Sequence, residues 1–432
     1  MTFMPKKNPT LNEVAIYSIY LSILLIFLFP LNETGMINFG PVNIYVYEIT
    51  LILAFLLALT MFSLRILSIG KKKIMALQIF IPLFILALIG LSQGILNSNA
   101  SFSTIFRDLR PIIYWGSGLV LIFVGHQNMP LKSMFWLIAV GLVLQFLVCI
   151  GLVFNNPSLL IESGFRFPGH SGYLTIIVIA LILISMTYKN KIEVENVINL
   201  KLLKIICAVL ILNIILVQNR TTWIAIVLMI GWWSLNNFRA DVLIKMSYSF
   251  FAYTIFFIIL LVSGVLPQEQ IFLLKERVVK DIFSEEGVRA TWEGTREEIY
   301  LSSYRDFMRS PVLGRGFGHQ FEFEFIDKID KFKSQSGVDN SWLNVLVKCG
   351  AIGTLVFTYF IYKLFSILKK SLTVANAEDS FYLRAFYLSF PFLFLMSFNL
   401  SIFYNYAEVV ILSMIFTKSI LLYLYNEKRI IK

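Results

Sequence analysis

Histidine and cysteine are scarce in this sequence, which holds only three of each among its 432 residues. Cys149, Cys207 and Cys349 all fall inside apolar runs, so neither a disulfide framework nor a Cys/His metal cluster is predicted. The phosphate-binding pattern GxxxxGK[ST] and the zinc-protease pattern HExxH are both missing. These absences argue against an ATP-driven pump and a zinc protease, and we expect no metal and no cofactor.

Charge is the second shortage. Charged residues make up 15% of the chain, whereas soluble domains carry about 25%. Hydrophobic residues make up 58% and the mean hydropathy is +0.77, which indicates a lipid bilayer as the surrounding solvent. The net charge of +11 would suggest nucleic acid in a soluble protein. Here the charges separate apolar runs, so we expect no nucleic-acid partner.

The apolar runs predict an all-α membrane protein with about twelve spans, because a spanning helix needs about 20 mostly apolar residues. The predicted spans are 14–31, 43–63, 74–94, 111–126, 132–154, 171–188, 201–218, 222–236, 246–266, 340–362, 382–400 and 405–425. The spans 111–126 and 222–236 are short, which predicts tilted or broken helices. Three regions follow: residues 1–266 with about nine spans, a large polar loop at 267–337, and residues 338–432 with about three spans.

Lysine and arginine separate the two sides of the membrane. One set of loops holds most of the lysines together with Arg65, Arg239 and Arg429, and the opposite short loops hold only Arg107, Arg110, Arg166 and Arg220. Because basic residues concentrate in cytoplasmic loops, the lysine-rich set is predicted to face the cytoplasm together with both termini. The large loop is then extracytoplasmic.

The arginines of the outer loops are candidate anion ligands, because a planar guanidinium grips phosphate in a two-pronged fashion. Chance and contact with lipid headgroups are the simpler explanations. Arg220 lies at the outer edge of a span, where it either snorkels or meets a partner. Asp108 stands between Arg107 and Arg110 and can pair with either, and Arg166 can stack on neighbouring phenylalanines.

The large loop contains one predicted helix. Thr295 and Glu298 form a capping-box pattern, and Pro311 is expected to end the helix. Arg296 would occupy the first helical position, which is mildly unfavourable unless an anion binds there. One face of this helix would carry Tyr300, Tyr304, Phe307 and Met308.

A carboxylate opens the span at 340–362. Asp339 is a suitable N-cap for that helix, and it is also a candidate to accept a proton from a sugar hydroxyl. The two roles are compatible. His170 and His319 are weaker candidates, because neither has a metal-ligating partner at a suitable spacing.

The order and topology of several motifs resemble those of the O-antigen ligase and polymerase family. The resembling segments are Arg107 to Tyr114, Asn219-Arg220-Thr221, Gly294-Thr295-Arg296, Pro311 to Gly318, Asp339 to Leu343 and Gly350 to Gly353. The resemblance implies a GT-C-like, metal-independent glycosyltransferase in the bacterial cytoplasmic membrane. It would act at the outer face on undecaprenyl-pyrophosphate-linked glycan, with a chain-length regulator and a flippase as further partners.

The ligase branch of this family carries a histidine where this chain has Asp339, and this departure favours a repeat-unit polymerase over a ligase. Lys348 stands where an acidic or neutral residue is expected. A flippase or transporter is a third hypothesis, which would prefer charges within spans; Glu48, Lys348 and Glu408 are the visible ones.

The polymerase hypothesis assigns roles to particular residues. The catalytic candidates are Asp339, Arg220 and Arg296. The substrate-binding candidates are Arg107, Arg110, Arg166, His170, Arg315, Asn340, Tyr300 and Trp342. The arginines would hold the diphosphate, Asp339 would orient or deprotonate the acceptor, and the aromatic residues, including Tyr304, would stack on sugar rings.

Overall fold

Apolar segments of this chain form helices, because a backbone surrounded by apolar groups must satisfy its own N–H and C=O groups. The computed structural model of the protein describes residues 10–29, 36–39, 42–64, 70–96, 100–124, 129–155, 171–187, 198–217, 220–237, 248, 297–324, 332–335, 338, 340–398, 400, 402–403 and 408–426. The predicted span 246–266 and most of the large loop lie outside these residues.

The described helices follow the apolar pattern. In chain order they are α1 (Leu11–Leu28), α2 (Val46–Leu64), α3 (Lys71–Ile79), α4 (Ile81–Leu96), α5 (Phe102–Gly116), α6 (Leu119–Val124), α7 (Leu131–Asn155), α8 (Thr175–Thr187), α9 (Leu200–Val217), α10 (Arg220–Asn237), α11 (Glu297–Arg309), α12 (Ser341–Ser371), α13 (Ala377–Met396) and α14 (Val409–Asn426). A 3₁₀ turn, Ser171–Leu174, precedes α8.

Two small antiparallel hairpins accompany the helices. The first pairs β1 (Met36–Phe39) with β2 (Val42–Tyr45), and Met36 lies opposite Tyr45. The second pairs β3 (Phe321–Glu324) with β4 (Phe332–Gln335), and Phe321 lies opposite Gln335.

Among the described residues, four helices are long and apolar enough to cross a membrane: α1, α7, α12 and α14. The pair α3 and α4, bent by 41° at Phe80, meets the same requirement as a single broken span. These helices agree with the predicted all-α membrane class. The count of twelve spans and the GT-C-like arrangement stay predictions.

The predicted span 111–126 is broken, as its short length indicated. Helix α5 ends at Gly116, a turn at Ser117 and Gly118 follows, and α6 continues. The helix begins earlier than predicted, because the Ser101 side chain caps it by accepting from the Thr104 amide (3.3 Å). The expectation of a loop around Arg107 and Arg110 was therefore wrong, since both residues lie inside α5.

One end of the bundle gathers lysines. The Lys72 ammonium donates to the Tyr425 carbonyl (3.3 Å), and the Asn426 amide donates to the Val374 carbonyl (3.3 Å), so the end of α14 meets the start of α3 and the turn after α12. We call this region the lysine end; its described lysines include Lys71, Lys72, Lys73, Lys132, Lys369 and Lys370.

The opposite region gathers arginines. The Arg110 guanidinium donates to the Asn43 carbonyl in the first hairpin. The Ser341 amide donates to the Ser397 carbonyl (3.0 Å), which joins the start of α12 to the end of α13. We call this region the arginine end, and the arginines described there include Arg107, Arg110 and Arg315.

Residues Pro311–Gly318, here called the glycine segment, insert between α4 and α12. The Phe317 amide donates to the Gly90 carbonyl of α4 (2.8 Å), and the fully buried Phe317 ring occupies the space that a side chain at Gly90 would fill. Gly316 has φ +89°, and a Cβ there would approach the Gly94 amide nitrogen to 2.2 Å. Only glycine permits this approach between two backbones.

The glycine segment also completes a break in α12. Gly350 adopts φ 66° and ψ −168°, which interrupts the helical hydrogen bonds. The carbonyls of Val347 and Lys348 accept instead from the amides of Arg315 (2.7 Å) and Gly316 (2.9 Å).

The free amides at the start of the second half of α12 also find partners in the glycine segment. The amides of Ala351 and Ile352 donate to the carbonyls of Pro311 (2.9 Å) and Val312 (3.2 Å). Peptide groups freed at a helix break are costly in an apolar surrounding. The segment and the break therefore stabilise each other.

This packing predicts that Gly316→Ala destabilises the protein. A side chain at a positive φ costs about 1–2 kcal/mol, and the backbone of Gly94 blocks it further. We expect the free energy of unfolding to fall by about 2 kcal/mol or more, measured as a lower melting temperature in detergent. The control is Gly231→Ala in α10, where nothing lies within 4 Å. Equal melting temperatures for both variants would contradict the packing.

Candidate functional site

Helix α5 carries two oppositely charged side chains into the bundle at the arginine end. Asp108 and Arg110 are both buried. One carboxylate oxygen of Asp108 accepts from the Lys348 ammonium (2.6 Å), and the other accepts from the Gly318 amide (2.7 Å). Lys348 is fully buried. The expectation that Asp108 pairs with a neighbouring arginine is replaced by this ion pair, which also explains the unexpected lysine in α12.

Arg110 pairs with Glu48 of α2. The Arg110 Nε and Glu48 Oε1 atoms are 3.1 Å apart, and the guanidinium lies over the Tyr45 ring at 5.0 Å from its centroid. The Tyr114 hydroxyl also donates to Glu48 Oε1 (2.7 Å). A diphosphate would have to compete with Glu48 for Arg110. This pairing favours a role for Arg110 in positioning α5 against α2.

Arg107 differs from its neighbours because it is exposed. It makes no ion pair with any residue in the described part of the chain, although its charge acts on Lys348. The acidic groups around it, Asp108 and Glu48, are engaged in the buried pairs. Arg107 is therefore a cation available to an anionic ligand at the arginine end.

A histidine and a carboxylate meet where the glycine segment leaves the bundle. His319 Nε2 lies 2.8 Å from Asp306 Oδ2, and Arg309 Nη1 lies 3.4 Å from the other oxygen of Asp306. The His319 ring contacts Phe321 edge-on at 5.6 Å between centroids. The Lys348 ammonium lies 5.9 Å from the centroid of the same Phe321 ring, which connects this pair to the α12 break.

Asp306 is not among the functional candidates predicted from the sequence. No local pattern marks it, because Asp306 shares a polar face of α11 with Ser302 and Ser303, and only the structure shows that this face is buried. A buried carboxylate requires a partner. Apolar periodicity alone directs attention to the opposite face, where Tyr300 and Tyr304 are exposed.

The start of α12 corrects one prediction. Asn340, not Asp339, is the N-cap: its side-chain oxygen accepts from the amides of Trp342 (2.9 Å) and Leu343 (3.0 Å). Its amide nitrogen also donates to the Phe398 carbonyl (2.6 Å). A carboxylate cannot make that second bond, because it has no donor. Asp339 itself lies outside the described residues.

Trp342 packs inside the bundle rather than standing free. Its indole N–H donates to the Ser397 hydroxyl (2.7 Å), and its ring stacks on Phe398 at 5.5 Å between centroids. Phe357 and Phe394 contact the same ring. These contacts support the joint between α12 and α13.

The remaining sequence candidates divide by what the structure describes. Outside the described residues lie Arg166, His170, Arg296 and Asp339, as does the predicted cap Thr295. Arg220 is the first residue of α10, and its side chain is not among those described. Arg315 is held by its amide in the glycine segment beside the break in α12. Helix α11 ends at Arg309, which confirms the predicted stop before Pro311.

The buried pair yields a stability prediction. Lys348→Met should leave Asp108 as an uncompensated buried charge, which costs about 3–5 kcal/mol. Combining it with Asp108→Asn, which still accepts from Gly318, should recover a large part of the loss. Melting temperatures in detergent measure both effects.

The exposed pair at the lysine end provides the control. Lys132 and Glu378 are 3.5 Å apart with side chains 41% and 50% exposed, so Glu378→Gln should change stability by only about 0–1 kcal/mol. A Lys348→Met protein as stable as the parent would show that the buried pair is not formed.

One family model matches the part of the chain that contains the glycine segment and the break in α12. Residues 205–358 match the family model described as O-antigen ligase. The matched range begins in α9, contains α10, α11 and the glycine segment, and ends in α12 beyond its break. No curated protein matches the chain. The match supports the assignment that the motifs predicted, to the O-antigen ligase and polymerase family.

Proposed function

We propose that the chain is a polysaccharide repeat-unit polymerase of the bacterial cytoplasmic membrane. It would join undecaprenyl-pyrophosphate-linked oligosaccharides at the outer face, with both termini in the cytoplasm. A hydroxyl of one glycan attacks the anomeric carbon of another, and undecaprenyl pyrophosphate leaves. The product would be an O-antigen, a capsule or an exopolysaccharide. The family match and the separate arginine and lysine ends support this proposal.

The exposure of the Arg107 side chain is the observation that carries the proposal. Its neighbours on α5 are neutralised by Lys348 and Glu48 in buried pairs, while Arg107 remains exposed. A departing diphosphate develops charge, and a cation at a low-dielectric edge stabilises that charge far more than it would in water. An arginine is suited to this role because its planar donors match phosphate oxygens.

A diphosphate offers more oxygens than one guanidinium can bind. Arg220 and Arg296 are our first choices for further contacts, followed by Arg166 and Arg315; of these, Arg220, Arg296 and Arg315 lie in the family-matched range. No metal is required in this scheme, since the arginines supply the positive charge. Asp339 would orient the acceptor glycan.

Tyrosines are the aromatic groups best placed to contact sugar. Tyr300 and Tyr304 are exposed on one face of α11, the helix that precedes the glycine segment in the chain. Aromatic faces pack well against the apolar faces of sugar rings. Trp342 would contribute through the packing of α12.

A ligase that moves finished glycan to lipid A core or another acceptor is the alternative, because the matching family model is described as O-antigen ligase. The products discriminate. Polymerase loss leaves single repeat units on the final acceptor, whereas ligase loss leaves long chains on the lipid carrier. For a flippase or transporter, the charges of interest were Glu48, Lys348 and Glu408. The first two are engaged in ion pairs, and Glu408 is buried.

Purified protein and lipid-linked repeat units, extracted from a host strain that lacks this chain, provide the direct test. We expect a ladder of polymer. Arg107→Gln should lower the rate about tenfold to a hundredfold, because a hydrogen bond to a charged group contributes about 1.5–3 kcal/mol. Arg107→Lys should recover only part of the rate, because the fork is lost.

Lys369→Gln is the matched control. It removes one exposed positive charge from the lysine end, so the rate should not change. Equal rates for Arg107→Gln and Lys369→Gln would remove Arg107 from the site. No ladder with the parent protein, combined with transfer of ready-made polymer to an acceptor, would establish the ligase instead.

A further inference from the structure

We propose that His319, oriented by Asp306, is the general base that removes the proton from the acceptor hydroxyl. This inference rests on the proposed glycosyl transfer and names a catalytic group for it. Asp339 was the sequence candidate for this step, and the inference leaves Asp339 the orienting role alone.

The pairing of the two side chains fixes the chemistry of the imidazole. Asp306 is 8% exposed and His319 is 14% exposed, and His319 Nε2 lies 2.8 Å from the Asp306 carboxylate. An ionised carboxylate only accepts hydrogen bonds, so Nε2 carries the hydrogen. The lone pair of the neutral ring is then on Nδ1. Within the described part of the chain, Nδ1 makes no hydrogen bond, and it is available to a ligand.

The position of His319 relative to Arg107 follows from one hydrogen bond. The Gly318 amide donates to the Asp108 carboxylate (2.7 Å). His319 follows Gly318 and Arg107 precedes Asp108, so each of the two residues is one position along the chain from that bond. The bond thus brings the main chain at Arg107 close to the main chain at His319, although 210 residues separate Asp108 from Gly318 in the chain.

Gly318 makes this approach possible. It adopts φ +87°, and a Cβ there would lie 2.6 Å from the Ala100 side chain and 3.1 Å from the Thr104 hydroxyl at the start of α5. A larger residue would push the segment away from α5. His319 would then move away from Arg107.

The step balances without a further reactant. His319 Nδ1 takes the proton of the acceptor hydroxyl while that oxygen forms a bond to the anomeric carbon of the donor. The bond between that carbon and the phosphate oxygen breaks, and the electron pair leaves with the diphosphate, which Arg107 stabilises. The imidazolium that forms is stabilised by the adjacent Asp306 carboxylate, as in other histidine bases paired with a carboxylate.

Charged groups approach His319 from each element packed around it. Helix α11 contributes Asp306 and Arg309. Helix α12 contributes Lys348 across the Phe321 ring. Helix α5 contributes Asp108, which accepts from the Gly318 amide, and Arg107 beside it in the chain. Their net effect appears in the pH dependence of the rate, so that dependence is the most informative readout.

The test uses the full chain and extracted lipid-linked repeat units. His319→Gln should lower the turnover number about a hundredfold, within the range of about 10²–10⁴ expected for a general base. The parent rate should fall toward acidic pH as the imidazole becomes protonated. The rate of His319→Gln should show no such fall. Imidazole added to His319→Ala should restore part of the rate, which a purely structural histidine would not allow.

Two further variants complete the test. Asp306→Asn should lower the turnover number and alter the acidic fall, because the imidazolium loses its counter-charge although the amide oxygen can still accept from Nε2. Lys369→Gln is the control, since it removes an exposed positive charge at the lysine end; its rate and pH profile should equal those of the parent.

The outcomes separate the two proposals. A parent protein that makes no glycosidic bond refutes the proposed function. A parent that makes polymer, with an unchanged rate and pH profile in a folded His319→Gln protein, refutes this inference alone. Loss of the acidic fall in Asp339→Asn, with His319→Gln retaining it, would assign the base to Asp339.

Discussion

The ion pair between Asp108 and Lys348 is the interaction on which the arginine end depends. Both side chains are buried, so each carries a desolvation penalty that their mutual attraction helps to offset. The second oxygen of Asp108 holds the Gly318 amide. One carboxylate thereby joins α5, α12 and the glycine segment, three parts of the chain that are distant in sequence.

The break in α12 follows from the same arrangement. A continuous helix at Gly350 would keep its carbonyls for itself and leave the glycine segment without partners. The break releases the carbonyl of Lys348, which accepts from Gly316 while its ammonium binds Asp108. The main chain of Lys348 thus binds the glycine segment directly, and its side chain binds the segment through Asp108. The loop helix α11 is positioned against the membrane helices as a consequence.

Neutralisation inside the bundle determines which charges face a ligand. The charges of Asp108 and Lys348 neutralise each other, and so do those of Glu48 and Arg110. Arg107 keeps its charge at the surface between these pairs. Helix α5 therefore carries both the charges that stabilise the fold and Arg107, the residue proposed to bind the diphosphate. This double role accounts for the polar residues between Arg107 and Tyr114.

The sequence predicted the features that local pattern controls. Apolar runs located the helices, Pro311 marked the end of α11, and the short run at 111–126 indicated a broken span. Partners across the fold could not be read in this way. Nothing local links Lys348 to Asp108, because apolar periodicity reports burial and not contact. The cap at Asn340 was missed for a related reason, since its choice over Asp339 depends on a carbonyl at Phe398.

The most direct test is an experimental structure of the protein in a lipid nanodisc with a non-reactive phosphonate analogue of the lipid-linked donor. The account predicts the diphosphate mimic within hydrogen-bond distance of the Arg107 guanidinium. It also predicts that Lys348 remains paired with Asp108. The space left for the acceptor glycan should lie next to the His319 imidazole. A diphosphate mimic bound away from α5, or held by Lys348 after it has left Asp108, would contradict the account.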